Sequence, residues 1–121
     1  MRHSYEVVVA GGGPAGLQTA RELAGSGRDV VVFEADEALG DNDKSTGGTF
    51  HQVVDDYGLP DRVVMDECER VSFEGPAERA VLSLPAYVLD FPKLQEWLGA
   101  EVERAGGTVH TGVRVQSPVV E

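Results

Sequence analysis

Cysteine, lysine and aromatic residues are scarce in this chain of 121 residues. The single cysteine, Cys68, excludes an internal disulfide, and no cysteine and histidine residues have the spacing of a metal site. There is no run of about 18 apolar residues, so we predict no membrane-spanning helix. The first residues also lack the apolar stretch of a secretory signal peptide, and a cytoplasmic protein is therefore expected.

Positive charge is scarce as well. The chain has 21 acidic and 10 basic residues, a net charge of -11, and lysine only at Lys44 and Lys93. An acidic chain without a basic cluster repels phosphate backbones, which excludes nucleic acid as an expected partner. The composition favours adaptation to high salt, where counterions screen the repulsion between acids, over an ordinary acidic domain.

Strand and helix patterns alternate at the start of the chain. Residues 5–10 are apolar and end at glycines, which predicts a strand buried on both faces, and Val30 to Phe33 predicts a second such strand. Between them, Leu17 to Ala24 have the apolar spacing of a helix, and Gly25 to Gly27 end it. This order indicates two parallel strands joined by a right-handed crossover.

The patterns change after a polar loop, residues 35–48. Thr49 and Gln52 match a capping box, which predicts a helix from this point to Gly58. Alternating segments on both sides of Gly75-Pro76 predict an antiparallel hairpin.

The last part of the chain returns to helix and strand. Pro92 to Ala105 predicts a helix, with Leu94, Leu98 and Val102 inward, and Thr108 to Val115 predicts another strand that is broken near Gly112. The expected fold class is therefore α/β: a Rossmann-like domain for FAD or NAD(P), with a three-stranded parallel sheet and an inserted β-hairpin.

A glycine pattern carries the functional signal. Gly11-Gly12-Gly13-Pro14-Ala15-Gly16 contains G-x-G-x-x-G between the first strand and the first helix. Gly11 permits a tight turn, Gly13 lets a pyrophosphate approach the backbone, and Gly16 lets the helix pack close to the strand. The helix then directs unpaired N–H groups at the phosphates, and Pro14 fits its first turn.

An acid completes the pattern. Glu34 ends the second strand, 18 residues after Gly16. Its carboxylate can accept hydrogen bonds from both ribose hydroxyls of adenosine, and it would repel a 2'-phosphate. The sequence therefore predicts a site that disfavours NADP. A glycine-rich turn beside a surface glutamate is the alternative without a ligand.

Val7 to Gly16, together with Glu34, resemble the N-terminal signature of FAD-dependent oxidoreductases. The chain is most similar to the geranylgeranyl reductase family and its aromatic-hydroxylase relatives, also over Tyr87 to Val109. The resemblance implies FAD as the cofactor. It further implies reduction of isoprenoid double bonds or hydroxylation of an aromatic or polyene substrate, and a location in the cytoplasm or at a membrane surface.

The chain departs from that family in two places. The family often has an arginine where Phe91 stands, and its reductases often have a cysteine in the loop after the second strand. Here that loop has no cysteine and offers Lys44, Ser45 and Thr46, either as polar contacts to the flavin or as a solvated surface. No catalytic residue is assigned.

Three functions stay open at this point. Residues 1–121 fit the N-terminal part of an FAD-binding domain, because the family's second flavin motif and its substrate domain have no counterpart in them. An NAD-binding domain of a dehydrogenase would use the same glycines and Glu34. A nucleotide-binding module without catalysis of its own is the third reading.

Overall fold

The computed structural model describes residues 2–42, 44–117 and 119–120, and the chain divides into two units. One consists of Met1–Asp43 and Pro92–Glu121, and the other of Lys44–Phe91. Along the chain the elements are β1 (Val7–Ala10), α1 (Pro14–Gly25), β2 (Val30–Phe33), β3 (Gly48–Phe50), α2 (His51–Asp56), a 3-10 helix (Asp61–Val63), β4 (Val64–Cys68), β5 (Val71–Glu74), β6 (Arg79–Leu82), β7 (Ala86–Leu89), α3 (Phe91–Arg104) and β8 (Thr108–His110).

The first unit contains a parallel sheet of three strands in the order β1-β2-β8. Val7 lies opposite Val30, and Val31 lies opposite Thr108. The predicted α/β fold with a three-stranded parallel sheet is therefore confirmed. Strand β8 ends at His110, and the predicted break lies at Gly112, which has a φ of +69° and whose N–H donates to the Asp36 carbonyl. Residues 113–115, which were predicted to continue the strand, are not in one.

Burial in this sheet is uneven. Val30, Val31 and Val32 of β2 are at most 1% exposed, as the apolar run predicts. Residues of β1 alternate between half-buried and exposed, and Val8 is 47% exposed. The prediction that β1 is buried on both faces is wrong, because β1 is an edge strand of this sheet and only one of its faces is packed.

Two helices complete the first unit. Leu17 and Ala20 of α1 are fully buried, which agrees with the predicted apolar face. Helix α3 buries Leu94, Trp97, Leu98 and Val102, and the chain leaves it through Gly106, which has a φ of +103°. None of the described helices is long and apolar enough to cross a membrane.

The second unit is built from antiparallel strands. The hairpin of β5 and β6 is confirmed, with Val71 opposite Leu82. A separate sheet has the order β3-β7-β4 and was not predicted. Its strands read Gly-Thr-Phe, Val-Met-Asp-Glu-Cys and Ala-Tyr-Val-Leu and lack the alternation of apolar and polar residues that predicted the hairpin.

The capping box at Thr49 is wrong. Thr49 lies in β3 opposite Tyr87, and α2 begins two residues later, at His51. Phe50 occupies the N-cap and makes no side-chain hydrogen bond there. Pairing with β7 extends through Phe50, so the helix begins only at His51 and Thr49 lies one residue before the N-cap. The helix ends before Gly58, as predicted, where φ is +61°.

Candidate nucleotide-binding site

The loop between β1 and α1 is held by backbone geometry. Gly11 has a φ of +110°, which residues with a side chain rarely adopt. Its N–H donates to the Phe33 carbonyl at 2.8 Å, so the loop begins directly at the end of the β1–β2 pairing. Gly11 is therefore the residue that turns the chain from the sheet into the loop.

Gly16 lies where α1 passes closest to β1. A Cβ atom on Gly16 would collide with the Gly11 carbonyl oxygen and lie 3.2 Å from Cγ1 of Val9. Because the first of these atoms belongs to the backbone, it cannot move aside without displacing the loop. The close packing of helix on strand therefore requires glycine at this position.

Gly13 has different surroundings. It is the N-cap residue of α1, with an extended backbone at φ -72° and ψ 171°, and a Cβ atom built on it meets nothing within 4 Å. Neither the conformation nor the packing of the protein therefore requires glycine here. The open space beside the Gly13 backbone can accept an external group, and a phosphate would fit this position.

The N-terminus of α1 suits an anion. Pro14 is the first helical residue, no side chain caps the helix, and its first turn contains no acidic residue. The Leu17 N–H donates to the Gly13 carbonyl, so the N–H groups of Ala15 and Gly16 precede the helical hydrogen-bond series. These amides and the positive end of the helix dipole are available to an anion.

Glu34 lies against the same loop. Its Oε2 accepts the Gly12 N–H at 2.6 Å, and its Oε1 accepts the Asp36 N–H at 2.8 Å. The N–H groups of Asp36, Gly12 and Ala35 and the charge of Arg114 lower the pKa of Glu34, although partial burial opposes this. The side chain is therefore held ionised, and each oxygen keeps a lone pair that can accept a hydroxyl.

Three further residues shape this site and carried no signal in the sequence. A Cβ atom on Gly12 would lie 2.7 Å from Cδ2 of Leu39 and 3.0 Å from Oε2 of Glu34. The Nε2 atom of Gln95 donates to the Gly12 carbonyl at 3.1 Å, across 83 residues of sequence. Gly12 occupies a position of the G-x-G-x-x-G pattern at which any residue is allowed. The hydrogen bond with Gln95 joins residues far apart in the sequence, so no local pattern predicts it.

Lys44, Ser45 and Thr46 lie in the second unit, whereas Gly11 to Gly16 and Glu34 lie in the first. All three are exposed, and Asp43 of the same loop lies outside the described residues. The Ser45 hydroxyl accepts the Gly47 N–H at 3.1 Å and so helps to form the turn before β3. Their assignment as flavin contacts stays a prediction.

No group of three metal-ligating side chains occurs within the described ranges 2–42, 44–117 and 119–120. The thiol of Cys68 is exposed and free. The site therefore consists of backbone amides and a helix N-terminus as donors and one carboxylate as acceptor, which suits the diphosphate and ribose of a dinucleotide.

Comparison with known proteins identifies the family of the chain. The family described as FAD dependent oxidoreductase matches residues 6–83. A digeranylgeranylglycerophospholipid reductase of Haloferax volcanii is 39% identical over 124 aligned residues, which cover 100% of this chain and 30% of the relative. A reductase of the same name from Methanoculleus marisnigri is 29% identical, with 100% and 32% covered.

Solved structures share the fold. A geranylgeranyl bacteriochlorophyll reductase-like protein from Thermoplasma acidophilum superimposes with a TM-score of 0.88 and 25% identity, over 97% of this chain and 32% of that one. A p-nitrophenol 4-monooxygenase from Pseudomonas putida has a TM-score of 0.77 at 20% identity, over 100% and 35%. The chain thus spans about a third of the length of the proteins it matches.

Proposed function

Because the chain belongs to the family of FAD-dependent oxidoreductases, we propose that it binds FAD through the Gly11–Gly16 loop, the N-terminus of α1 and Glu34. The observation that carries this proposal is the hydrogen bond of 2.6 Å between the Gly12 N–H and Oε2 of Glu34. It joins the candidate ribose acceptor to the candidate phosphate loop, so that one nucleotide can contact both.

Each residue then has a separate task. The N–H groups of Gly13, Ala15 and Gly16 bind the diphosphate, and Pro14 begins the helix without removing any of these donors. Glu34 accepts the ribose hydroxyls. Bound FAD supplies the electron transfer, and the protein positions it. Lys44, Ser45 and Thr46 are proposed as contacts to the flavin end, supported by their exposure and the family resemblance.

Phosphate binding at this site does not depend on a cationic side chain. Residues 11–16 contain no lysine or arginine, and the chain as a whole carries a net charge of -11. Neutral amide donors and the helix dipole therefore have to hold a dianion against the repulsion of the surrounding acids. We therefore expect the affinity for the nucleotide to rise with ionic strength.

The reaction is proposed for a protein as long as the relatives, of which this chain covers about a third. The relatives named digeranylgeranylglycerophospholipid reductase support reduction of isoprenoid double bonds, with electrons delivered through FAD. A lipid substrate would bring the protein from the cytoplasm to a membrane surface. For the chain of 121 residues itself, the proposed function is binding of the cofactor.

Adaptation to high salt is part of the same proposal. Among the described residues no charged side chain is buried, so the excess of acids lies at the surface or partly exposed. Counterions at high ionic strength would screen the repulsion between these acids. The similarity to a protein of Haloferax volcanii supports this proposal.

The direct test is a titration of the purified chain with FAD, followed by quenching of flavin fluorescence, with NAD and NADP as competitors. We expect saturable binding of FAD, weaker competition by NAD, and the weakest by NADP, because Glu34 repels a 2'-phosphate. Uptake of NAD without any binding of FAD would refute the proposal and favour the dehydrogenase reading.

A further inference from the structure

The peptide groups on both sides of Gly12 are held by side chains. The N–H of Gly12 donates to Oε2 of Glu34 at 2.6 Å, and its carbonyl oxygen accepts Nε2 of Gln95 at 3.1 Å. Gln95 lies on α3 and is half-buried. It takes no part in the function proposed above, so its bond to the glycine loop calls for a separate explanation.

The geometry of the peptide bond supplies one. The Gly12 carbonyl and the Gly13 N–H belong to one planar group, and no cis peptide occurs among the described residues. In a trans peptide the C=O and N–H bonds point in opposite directions. A bond that fixes the Gly12 oxygen therefore also fixes the direction of the Gly13 N–H.

A loop of three glycines needs such support. Glycine reaches regions of backbone conformation that other residues avoid, so the peptide between Gly12 and Gly13 can reverse its orientation at little cost. Reversal would turn the Gly13 N–H to the opposite direction. We propose that Gln95 is a positioning residue that holds the Gly12–Gly13 peptide so that the Gly13 N–H faces the phosphates of the nucleotide.

Helix α3 can provide this support because it is anchored around Gln95. Leu94 and Leu98 are buried on the helix. The Leu39 side chain lies against both Gly12 and Gly99: a Cβ atom on either glycine would lie within 3 Å of one of its methyl carbons. Gln95 thus extends from a packed element, and its amide is placed by that packing rather than by the flexible loop.

The inference rests on the proposed binding of a nucleotide and predicts a selective effect. Gln95 acts only through the Gly13 amide, which faces phosphate, whereas Glu34 faces ribose. Loss of the Gln95 donor should therefore lower the affinity for ADP about three- to tenfold, which is the range expected for one neutral hydrogen bond. Adenosine, which has no phosphate, should bind as before.

The test compares Gln95→Met, which keeps the side-chain length but has no donor, with Gln116→Met at an exposed position. Calorimetric titrations with ADP and with adenosine measure both affinities. We expect Gln95→Met to lose affinity for ADP alone and Gln116→Met to lose neither. The Gly13 amide signal in an NMR spectrum of the ligand-free chain should also shift or broaden in Gln95→Met only.

A second pair protects the test against misfolding. Gln95→Glu keeps the size and polarity of the side chain and has no donor at neutral pH, and Gln116→Glu matches its charge. Unchanged ADP affinity in both Gln95 variants, or equal losses for ADP and adenosine, would overturn the role of Gln95 while leaving FAD binding intact. If the unaltered chain bound neither ADP nor FAD, both the proposed function and this inference would be refuted.

Discussion

Gly13→Ala separates the needs of the fold from those of the ligand. The φ of -72° and ψ of 171° at Gly13 are ordinary for alanine, and the added methyl group meets nothing within 4 Å. Alanine restricts the unfolded chain, which favours folding by about 0.4–1 kcal/mol, and it is a poorer N-cap than glycine by several tenths. These effects oppose each other, so the free energy of unfolding should change by no more than about 0.5 kcal/mol.

The cost should appear in binding instead. The methyl group would occupy the space in which a phosphate approaches the Gly13 N–H. A hydrogen bond to a charged group contributes about 1.5–3 kcal/mol, so its loss corresponds to roughly 10- to 100-fold weaker binding of FAD. Bulkier side chains at the same position should weaken binding further, because they extend into the same space.

The assay pairs thermal unfolding with flavin-fluorescence titration of the same protein samples. Gly25→Ala is the matched control, because a Cβ atom on Gly25 also meets nothing within 4 Å, at the opposite end of α1. It should preserve binding and raise the free energy of unfolding by about 0.4–1 kcal/mol, because Gly25 lies within the helix and alanine restricts the unfolded chain. If Gly13→Ala bound FAD as tightly as the unaltered chain, the phosphate would not lie beside Gly13, and the proposed geometry would be wrong.

Three other substitutions or conditions test neighbouring parts of the reasoning. Gly16→Ala should lower the free energy of unfolding by about 1–3 kcal/mol in denaturant titration, because its Cβ atom meets the Gly11 carbonyl, and an unchanged midpoint would contradict that contact. Glu34 has a lowered pKa when folded, so the stability that it adds is present above its ordinary value of 4.5 and is lost as the pH falls through the lowered value. Glu34→Gln should remove this part of the pH dependence of the free energy of unfolding and should also weaken the binding of FAD. An unaltered pH profile of stability would show that the two backbone N–H bonds do not stabilise the carboxylate. Raising KCl from about 0.1 M to about 1 M shortens the Debye length from about 10 Å to about 3 Å, so both the melting temperature and the affinity for FAD should rise. A fall in affinity would show that salt weakens attraction to the site more than it weakens repulsion by the surrounding acids, which would contradict this prediction.

Local sequence patterns were sufficient to predict the elements whose determining residues lie close together in the chain. The β1-α1-β2 unit, the hairpin around Gly75-Pro76 and helix α3 were predicted, because glycine positions and apolar spacing act within a few residues of one another. The helix at Thr49 was misplaced for the opposite reason. Its capping pattern is local, but pairing with Tyr87 is not, and the strand pairing takes precedence.

Burial also depends on partners that are remote in sequence. The apolar run of β1 is indistinguishable from that of β2, yet β2 lies between two strands and β1 has a neighbour on one side. Val8 is therefore exposed while Val31 is fully buried. Position within the sheet decides this difference, and no property of either segment alone encodes it.

The sequence by itself predicted the class of ligand, and the family of the chain agrees with it. Few lysines and a net charge of -11 leave backbone amides and a helix end as the donors for a phosphate, and the glycine pattern with Glu34 specifies where they lie. The tertiary structure decided how the loop that carries those amides is held. Glu34 and Gln95 reach Gly12 across 22 and 83 residues, and only folding brings such distant side chains to one peptide group.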